Sequence, residues 1–196
     1  FHLAATHLLA PQGRFLLHAA GLLSSAGVWL AFGDSGAGKS TLALAALENR
    51  DRILGDDITA VRLTSTGPEA GGIGMPAAVP GDVGGAVAAA GRPMHDPRGR
   101  RVLEGDSLTR GWFPVAGSMI VAHGTTPAGA VSRAAETEAL HAIMRSFNGV
   151  GRPSFLRSFF PCAGALARLP SWRFHHGSEP HTRLAAARRL LGRCEA

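Results

Sequence analysis

A glycine-rich stretch at residues 33–41, GDSGAGKST, has the residue types and spacing to bind phosphate. It matches the pattern G-x-x-x-x-G-K-S, whose glycines let successive backbone N–H groups surround phosphate oxygens. In this pattern Lys39 reaches the β- and γ-phosphates, and the Ser40 hydroxyl is a ligand of Mg²⁺. The residues predicted to bind the nucleotide phosphates are Gly33, Asp34, Ser35, Gly36, Ala37, Gly38, Lys39, Ser40 and Thr41.

Two adjacent carboxylates, Asp56 and Asp57, follow this loop after one predicted helix. Phosphoryl transfer needs a metal that bridges the phosphates, a cation that anchors them and a group that orients or deprotonates the acceptor. One carboxylate is predicted to hold Mg²⁺ and the other to accept a proton, and the residues leave open which does which. Adjacent residues of a regular strand point to opposite faces, so both serve one site only at a strand end or a bend, which Gly55 favours.

A histidine, His18, lies in an apolar segment that precedes the loop. Imidazole titrates near neutral pH, so His18 could steer or polarise a catalytic carboxylate. A hydrogen-bonded histidine of the core is the structural alternative. The sequence therefore predicts a supporting role for His18 only in combination with the loop and the aspartate pair.

The elements that must position these residues are predicted on both sides of the loop. An apolar strand at residues 28–32 enters it, and a helix from Ser40 to about Arg50 leaves it with its positive N-terminal end toward the phosphates. Residues 14–22 are predicted as a buried strand that pairs with residues 28–32 through a turn, as a β-hairpin. Residues 53–63 are predicted as one further strand.

The rest of the chain is predicted to complete an α/β fold, a mixed β-sheet flanked by helices as in P-loop kinases. Residues 134–147 have apolar positions at helical spacing. The other expected elements are a short helix or strand at 1–11, irregular segments at 64–80 and 91–105, a small-residue helix at 82–90, strands at 112–116, 118–122 and 172–175, a helix at 155–169 broken at Pro161, and a basic helix at 182–193.

Composition indicates one globular domain spanning residues 1–196, because 45% of the residues are hydrophobic and 17% are charged. The net charge of +6 suits phosphate-bearing or acidic ligands, whereas nucleic-acid binding would depend on charge alone and is not expected. Two cysteines without metal-binding spacing indicate reduced thiols in a cytoplasmic protein. No signal peptide or membrane span is predicted, and association into a homo-oligomer is left open.

Three segments in this order, Leu17-His18-Ala19, the GDSGAGKST loop and Leu54-Gly55-Asp56-Asp57, resemble the catalytic domain of HPr kinase/phosphorylase and its smaller relatives. The resemblance covers residues 14–63. It implies an HPr-kinase-like fold and transfer of the γ-phosphoryl group of ATP to a hydroxyl, often that of a serine. It also implies that Lys39 and the loop bind phosphates and that Ser40 and Asp56 hold Mg²⁺. In this assignment Asp57 is the acceptor base and His18 supports it.

The chain also departs from the full enzyme of that family. Residues 71–77 lack the arginine that leads the family's glycine-rich signature loop, and no N-terminal regulatory domain is expected. The short form is similar to kinases of lasso-peptide pathways, which phosphorylate a serine of a precursor peptide. A kinase of small-molecule alcohols and a nucleotide-binding regulatory ATPase without an acceptor are the alternatives. An open groove would favour a peptide, and a closed pocket would favour a small molecule.

Overall fold

The structure is a computed structural model that describes residues 2–49, 51–74, 77–80, 92–93, 100–103, 108–122, 130–147, 149, 152–175, 185–187 and 190. In chain order its elements are α1 (His2–Leu9), a 3₁₀ turn (Ala10–Gln12), β1 (Arg14–Leu17), β2 (Ala20–Ser24), β3 (Gly27–Phe32), α2 (Lys39–Glu48), β4 (Arg52–Gly55), β5 (Thr59–Thr64), β6 (Gly67–Gly71), β7 (Ala77–Pro80), β8 (Arg92–Pro93), β9 (Arg100–Leu103), β10 (Trp112–Ala122), β11 (Ala130–Arg133), α3 (Glu136–Ser146), α4 (Pro153–Ala167) and β12 (Ser171–His175). These elements confirm the predicted α/β class, a mixed sheet flanked by helices.

The large sheet has the strand order β1-β5-β6-β10-β3-β2-β4, and β12 joins it beside β10 with β11 on its other side. Strands β3 and β12 run parallel to β10, and the other pairs in this sheet are antiparallel. Strand β10 is the junction, because its first residues pair with β6 while its later residues pair with β3 and β12. Strands β7, β9 and β8 form a separate antiparallel sheet.

Strand β3 lies between two hydrophobic cores, which explains its unbroken apolar sequence. Trp29 and Ala31 pack in the core that contains α2, whereas Leu30 and Phe32 pack in the core that contains α3 and α4. A strand buried on both faces needs apolar residues at every position. The loop that follows β3 therefore starts from a rigid, fully buried strand.

The predicted hairpin is confirmed, with Ser24 opposite Gly27 at its turn. The single strand predicted for residues 14–22 is wrong, because β1 pairs with β5 whereas β2 pairs with β3 and β4. The break falls at His18 and Ala19, whose backbone groups bond elsewhere. The N–H of His18 donates to the Ser146 carbonyl at 2.8 Å, and the Ala19 carbonyl accepts from the Thr59 hydroxyl at 2.9 Å.

The single strand predicted for residues 53–63 is also wrong, because a bend separates β4 from β5. A Cβ added at Gly55 would lie 2.7 Å from the carbonyl oxygen of Ile58, so the bend requires a glycine there. The bend carries Asp56 and Asp57. Both aspartates therefore leave the regular strand geometry that would have sent them to opposite faces.

The described residues between 64 and 122 are more regular than their sequence predicts. Strand β6 and the small sheet occupy much of the two segments predicted as irregular, and residues 112–122 form one strand with a register shift between Val115 and Gly117. The predicted helix at 134–147 and the strand at 172–175 are confirmed as α3 and β12.

Pro161 does not break α4, contrary to the prediction. A proline inside a helix removes one hydrogen bond and costs about 3 kcal/mol. Here Phe159, Cys162 and Ala163 are buried on either side of it, and their packing holds the helix together. The residues predicted as a helix at 82–90 lie outside the described part of the chain, as do most of those at 182–193. None of the helices in the described part has the length and apolar character to cross a membrane.

Candidate active site

The glycine-rich loop joins the end of β3 to the start of α2, as the sequence predicts. Gly36 and Gly38 have φ values of 81° and 109°, a backbone region that favours glycine. Gly33, whose φ is 156°, is required for a further reason, since a Cβ there would lie 2.5 Å from the carbonyl oxygen of Val121 in β10. The loop thus combines the glycine conformations of a phosphate-binding turn with close packing against the sheet.

The Lys39 ammonium lies over the first half of this loop. Its Nζ donates hydrogen bonds to the carbonyl oxygens of Gly33 at 2.8 Å and Asp34 at 3.1 Å. Burial lowers the pKa of Lys39, and the nearby carboxylates of Asp57, Asp34 and Asp56 oppose that shift. The Lys39 ammonium is thus a cation at the loop that a bound polyphosphate could contact.

Asp56 is the buried member of the aspartate pair. It is 6% exposed, and its Oδ2 accepts a hydrogen bond from Ser40 Oγ at 3.3 Å. Burial raises the pKa of Asp56 to about 6, although hydrogen bonds from the backbone of Ala78, from its own backbone and from Ser40 act in the opposite direction. The carboxylate is therefore held against the first turn of α2, at the loop's end.

The donor set of Ser40 and Asp56 fits a magnesium ion carried by a nucleotide. In the described part of the chain no group of three or more His, Cys, Asp or Glu residues could hold a metal by itself. Mg²⁺ prefers oxygen ligands, retains several waters and is bound through one or two carboxylates together with substrate phosphates. A hydroxyl and one carboxylate beside a phosphate-binding loop satisfy that requirement.

Asp57 is the exposed member of the pair and contacts His18. Its Oδ1 lies 2.8 Å from His18 Nε2, and the side chains of His18 and Asp57 are 37% and 62% exposed. The bend thus directs two adjacent carboxylates to different partners, one to Ser40 and one to His18. The structure brings together the residues that the sequence singles out, and their chemical roles stay predictions.

The end of α3 forms the remaining wall of the site. Ser146 accepts the His18 N–H, and Arg145 Nη2 lies 3.1 Å from Asp34 Oδ1. Sequence reasoning missed Arg145, because an arginine on the outer face of an amphipathic helix carries no signal of function. It is 111 positions from Asp34, and only the packing of α3 brings the two together.

A cavity of about 410 Å³ lies between the loop, the end of β10 and the end of α3. Its polar lining comes from His18, Asp34, Ser35, Arg145 and Ser146. Its apolar lining includes Ile120, Val121 and Ala142. The cavity therefore borders both the first half of the phosphate-binding loop and the histidine that contacts Asp57.

Comparison with known proteins gives likenesses among solved structures. No protein-family model and no curated protein matches the chain. Among solved structures it is similar to the HPr(Ser) kinase/phosphatase from Coxiella burnetii, with 13% sequence identity and a TM-score of 0.47 over 92% of this chain and 97% of that chain. A likeness at this level does not assign the family or the activity, so a function has to be supported by the contacts of the site.

Proposed function

We propose that this protein is an ATP- and Mg²⁺-dependent kinase that transfers the γ-phosphoryl group to a hydroxyl, foremost that of a serine in a peptide or protein. The proposal rests on the different surroundings of the two aspartates. Asp56 is buried against Ser40, and Asp57 is exposed against His18. The contact with Ser40 supports Asp56 as the carboxylate that serves the metal, and the contact with His18 supports Asp57 as the acceptor base.

Each residue has a distinct part in the transfer. Lys39 and the loop N–H groups bind the phosphates, and Ser40 and Asp56 would hold Mg²⁺. Bound Mg²⁺ would neutralise charge on the phosphate oxygens. The acceptor oxygen forms a bond to the γ-phosphorus while the bond from phosphorus to the leaving ADP oxygen breaks. The Asp57 carboxylate takes the proton of the hydroxyl, and His18 Nε2–H orients that carboxylate.

The exposure of Asp57 favours a peptide or protein acceptor. Its side chain is 62% exposed, so a serine on the surface of a large partner can reach it. The sequence resemblance suggests a ribosomal, lasso-type precursor peptide as the class of acceptor. The cavity of about 410 Å³ is the observation that favours a small-molecule alcohol as the second candidate, because small ligands occupy pockets of this volume.

A transfer assay tests the proposal. The protein is incubated with γ-labelled ATP, Mg²⁺ and serine peptides, including those encoded beside its gene, and a parallel set contains small alcohols. Mass spectrometry then locates the phosphate. The Lys39→Ala variant is the negative control, since it loses the cation that faces the loop.

Phosphoserine in a peptide, formed by wild type and not by the Lys39→Ala variant, would support the proposal. A phosphorylated small alcohol would support the second candidate. Release of inorganic phosphate without any phosphorylated acceptor would indicate a regulatory ATPase and contradict a kinase. Absence of ATP binding and turnover would contradict every nucleotide-dependent function.

A further inference from the structure

The Arg145 guanidinium is a second cation beside the first half of the loop, where Lys39 Nζ also lies. Lys39 Nζ contacts the Asp34 carbonyl oxygen at 3.1 Å, and Arg145 Nη2 contacts the Asp34 carboxylate at 3.1 Å. Lysine in this loop pattern reaches the β- and γ-phosphates, so this half of the loop is where the terminal phosphates would lie. Asp34 is therefore approached from two sides by groups that bind phosphate well.

Main-chain contacts hold the backbone of Arg145 beside the segment that carries His18. Its neighbour Ser146 accepts the backbone N–H of His18 at 2.8 Å, and Phe147 forms an isolated bridge with Leu17. The last turn of α3 is thus hydrogen-bonded to the segment that carries His18. Arg145, His18 and the first half of the loop line the same cavity.

The contact between Arg145 and Asp34 is of a kind that is readily exchanged. The two side chains are 65% and 81% exposed, and one guanidinium nitrogen contacts one carboxylate oxygen. Exposed ion pairs of this type contribute little, because water screens them and long side chains lose entropy. A terminal phosphate carries more charge than a carboxylate, and its oxygens match the planar donors of arginine.

We propose that Arg145 recognises the terminal phosphate of the nucleotide, exchanging the Asp34 carboxylate for a γ-phosphate oxygen. This inference rests on the proposed function and deepens it, since it assigns a residue to the discrimination between tri- and diphosphate. Asp34 then holds the guanidinium at the cavity until the nucleotide binds. During transfer Arg145 neutralises charge on the phosphoryl oxygens opposite Lys39.

Binding measurements without an acceptor test this role. Isothermal titration calorimetry on the full chain measures the affinity for two ligands in the presence of Mg²⁺. One ligand is a non-hydrolysable ATP analogue and the other is ADP. Arg145→Ala is expected to weaken binding of the analogue about tenfold or more, which is the range for loss of a charge-assisted hydrogen bond. The same variant should change the affinity for ADP less than twofold. Arg145→Lys should recover part of the loss, since a point charge replaces the planar donor.

Two further variants make the result specific. Asp34→Ala should strengthen binding of the analogue, because it removes the group that competes for Arg145. Arg168→Ala is the matched control, since Arg168 is 75% exposed and pairs with Glu136 at 3.9 Å away from the loop. That control should bind both ligands as wild type does, and thermal melting would confirm that all the variants are folded.

The outcomes separate this inference from the proposed function. If wild type binds the analogue more tightly than ADP and Arg145→Ala keeps that preference, the inference is wrong and the kinase proposal stands. Equal losses for both ligands in Arg145→Ala and Asp34→Ala would make the pair a structural clamp and would also overturn it. Binding of neither ligand by wild type would overturn the function and this inference together.

Discussion

The two sides of the site are built in different ways. The phosphate side, which comprises the loop at residues 33–41 and Asp56, is exposed at Asp34, Ser35 and Gly36 and buried at its end, where Lys39 and Asp56 are each 6% exposed. The acceptor side, which comprises His18 and Asp57, has side chains that are 37% and 62% exposed. The lysine and the carboxylate that are proposed to act on phosphate and metal are thus buried, whereas the groups that would meet the acceptor lie where a partner can reach them.

The difference also concerns what holds each side in place. Strand β3, helix α2 and the hydrogen bonds of the Lys39 and Ser40 side chains determine the phosphate side, and its residues lie close together in the chain. A side-chain pair between separate segments, His18 with Asp57, determines the acceptor side, and Arg145 contacts the phosphate side through Asp34. We therefore expect mutations on the two sides to differ in which property they change.

The largest expected effect is that of Asp57→Asn on transfer. An amide cannot accept the proton of the hydroxyl, and removing a general base lowers a rate about 10²- to 10⁴-fold. Nucleotide affinity should stay close to wild type, because Asp57 contacts His18, whereas Ser40 contacts Asp56. The phosphopeptide assay and calorimetry measure the two properties. Undiminished transfer would remove Asp57 from the role of base.

The next effect concerns stability and falls on the buried aspartate. The pKa of Asp56 is about 6 instead of 3.8, because burial disfavours its charge. The folded state therefore holds this proton more tightly than the unfolded state does, and stability is lost as pH rises from about 4 to about 6. Asp56→Asn removes the unfavourable burial of a charged carboxylate. It should raise the free energy of unfolding by about 2 to 3 kcal/mol at pH 8.

Urea unfolding with a metal chelator at pH 8 and at pH 4.5 checks this prediction. The gain from Asp56→Asn should be smaller at pH 4.5, where the wild-type carboxyl is already largely protonated. Asp57→Asn is the matched control and should show no comparable gain, because Asp57 is exposed. An equal gain at both pH values would show that ionisation of Asp56 is not the cause.

The smallest expected effect compares two glycines of the loop. Alanine at Gly33 would place its Cβ 2.5 Å from the Val121 carbonyl oxygen, whereas nothing lies within 4 Å of a Cβ at Gly36. Both substitutions strain the backbone, but only Gly33→Ala also forces the loop away from β10. We expect Gly33→Ala to lower the free energy of unfolding by roughly 1 to 2 kcal/mol more than Gly36→Ala. Equal losses in urea unfolding would mean that packing against β10 is unimportant.

Local patterns in the sequence predict the hairpin, the loop and α2, because each depends on neighbouring residues. The same patterns fail where a strand changes partners. Residues 14–22 are apolar throughout, and nothing in that run indicates that β1 and β2 join different parts of the sheet. Strand β6 was missed because its sequence, GPEAG, has low β-propensity, and pairing with β5 and β10 outweighs that preference.

The sequence by itself indicated the loop at residues 33–41, because its glycines, Lys39 and Ser40 follow one another in the chain and form a local pattern. It also predicted that Asp56 and Asp57 can serve one site only from a strand end or a bend. Only the tertiary structure decided that Asp56 contacts Ser40, that Asp57 contacts His18 and that Arg145 reaches Asp34. Those contacts depend on how β5 and α3 pack beside the loop, and such long-range packing leaves no local pattern in the chain.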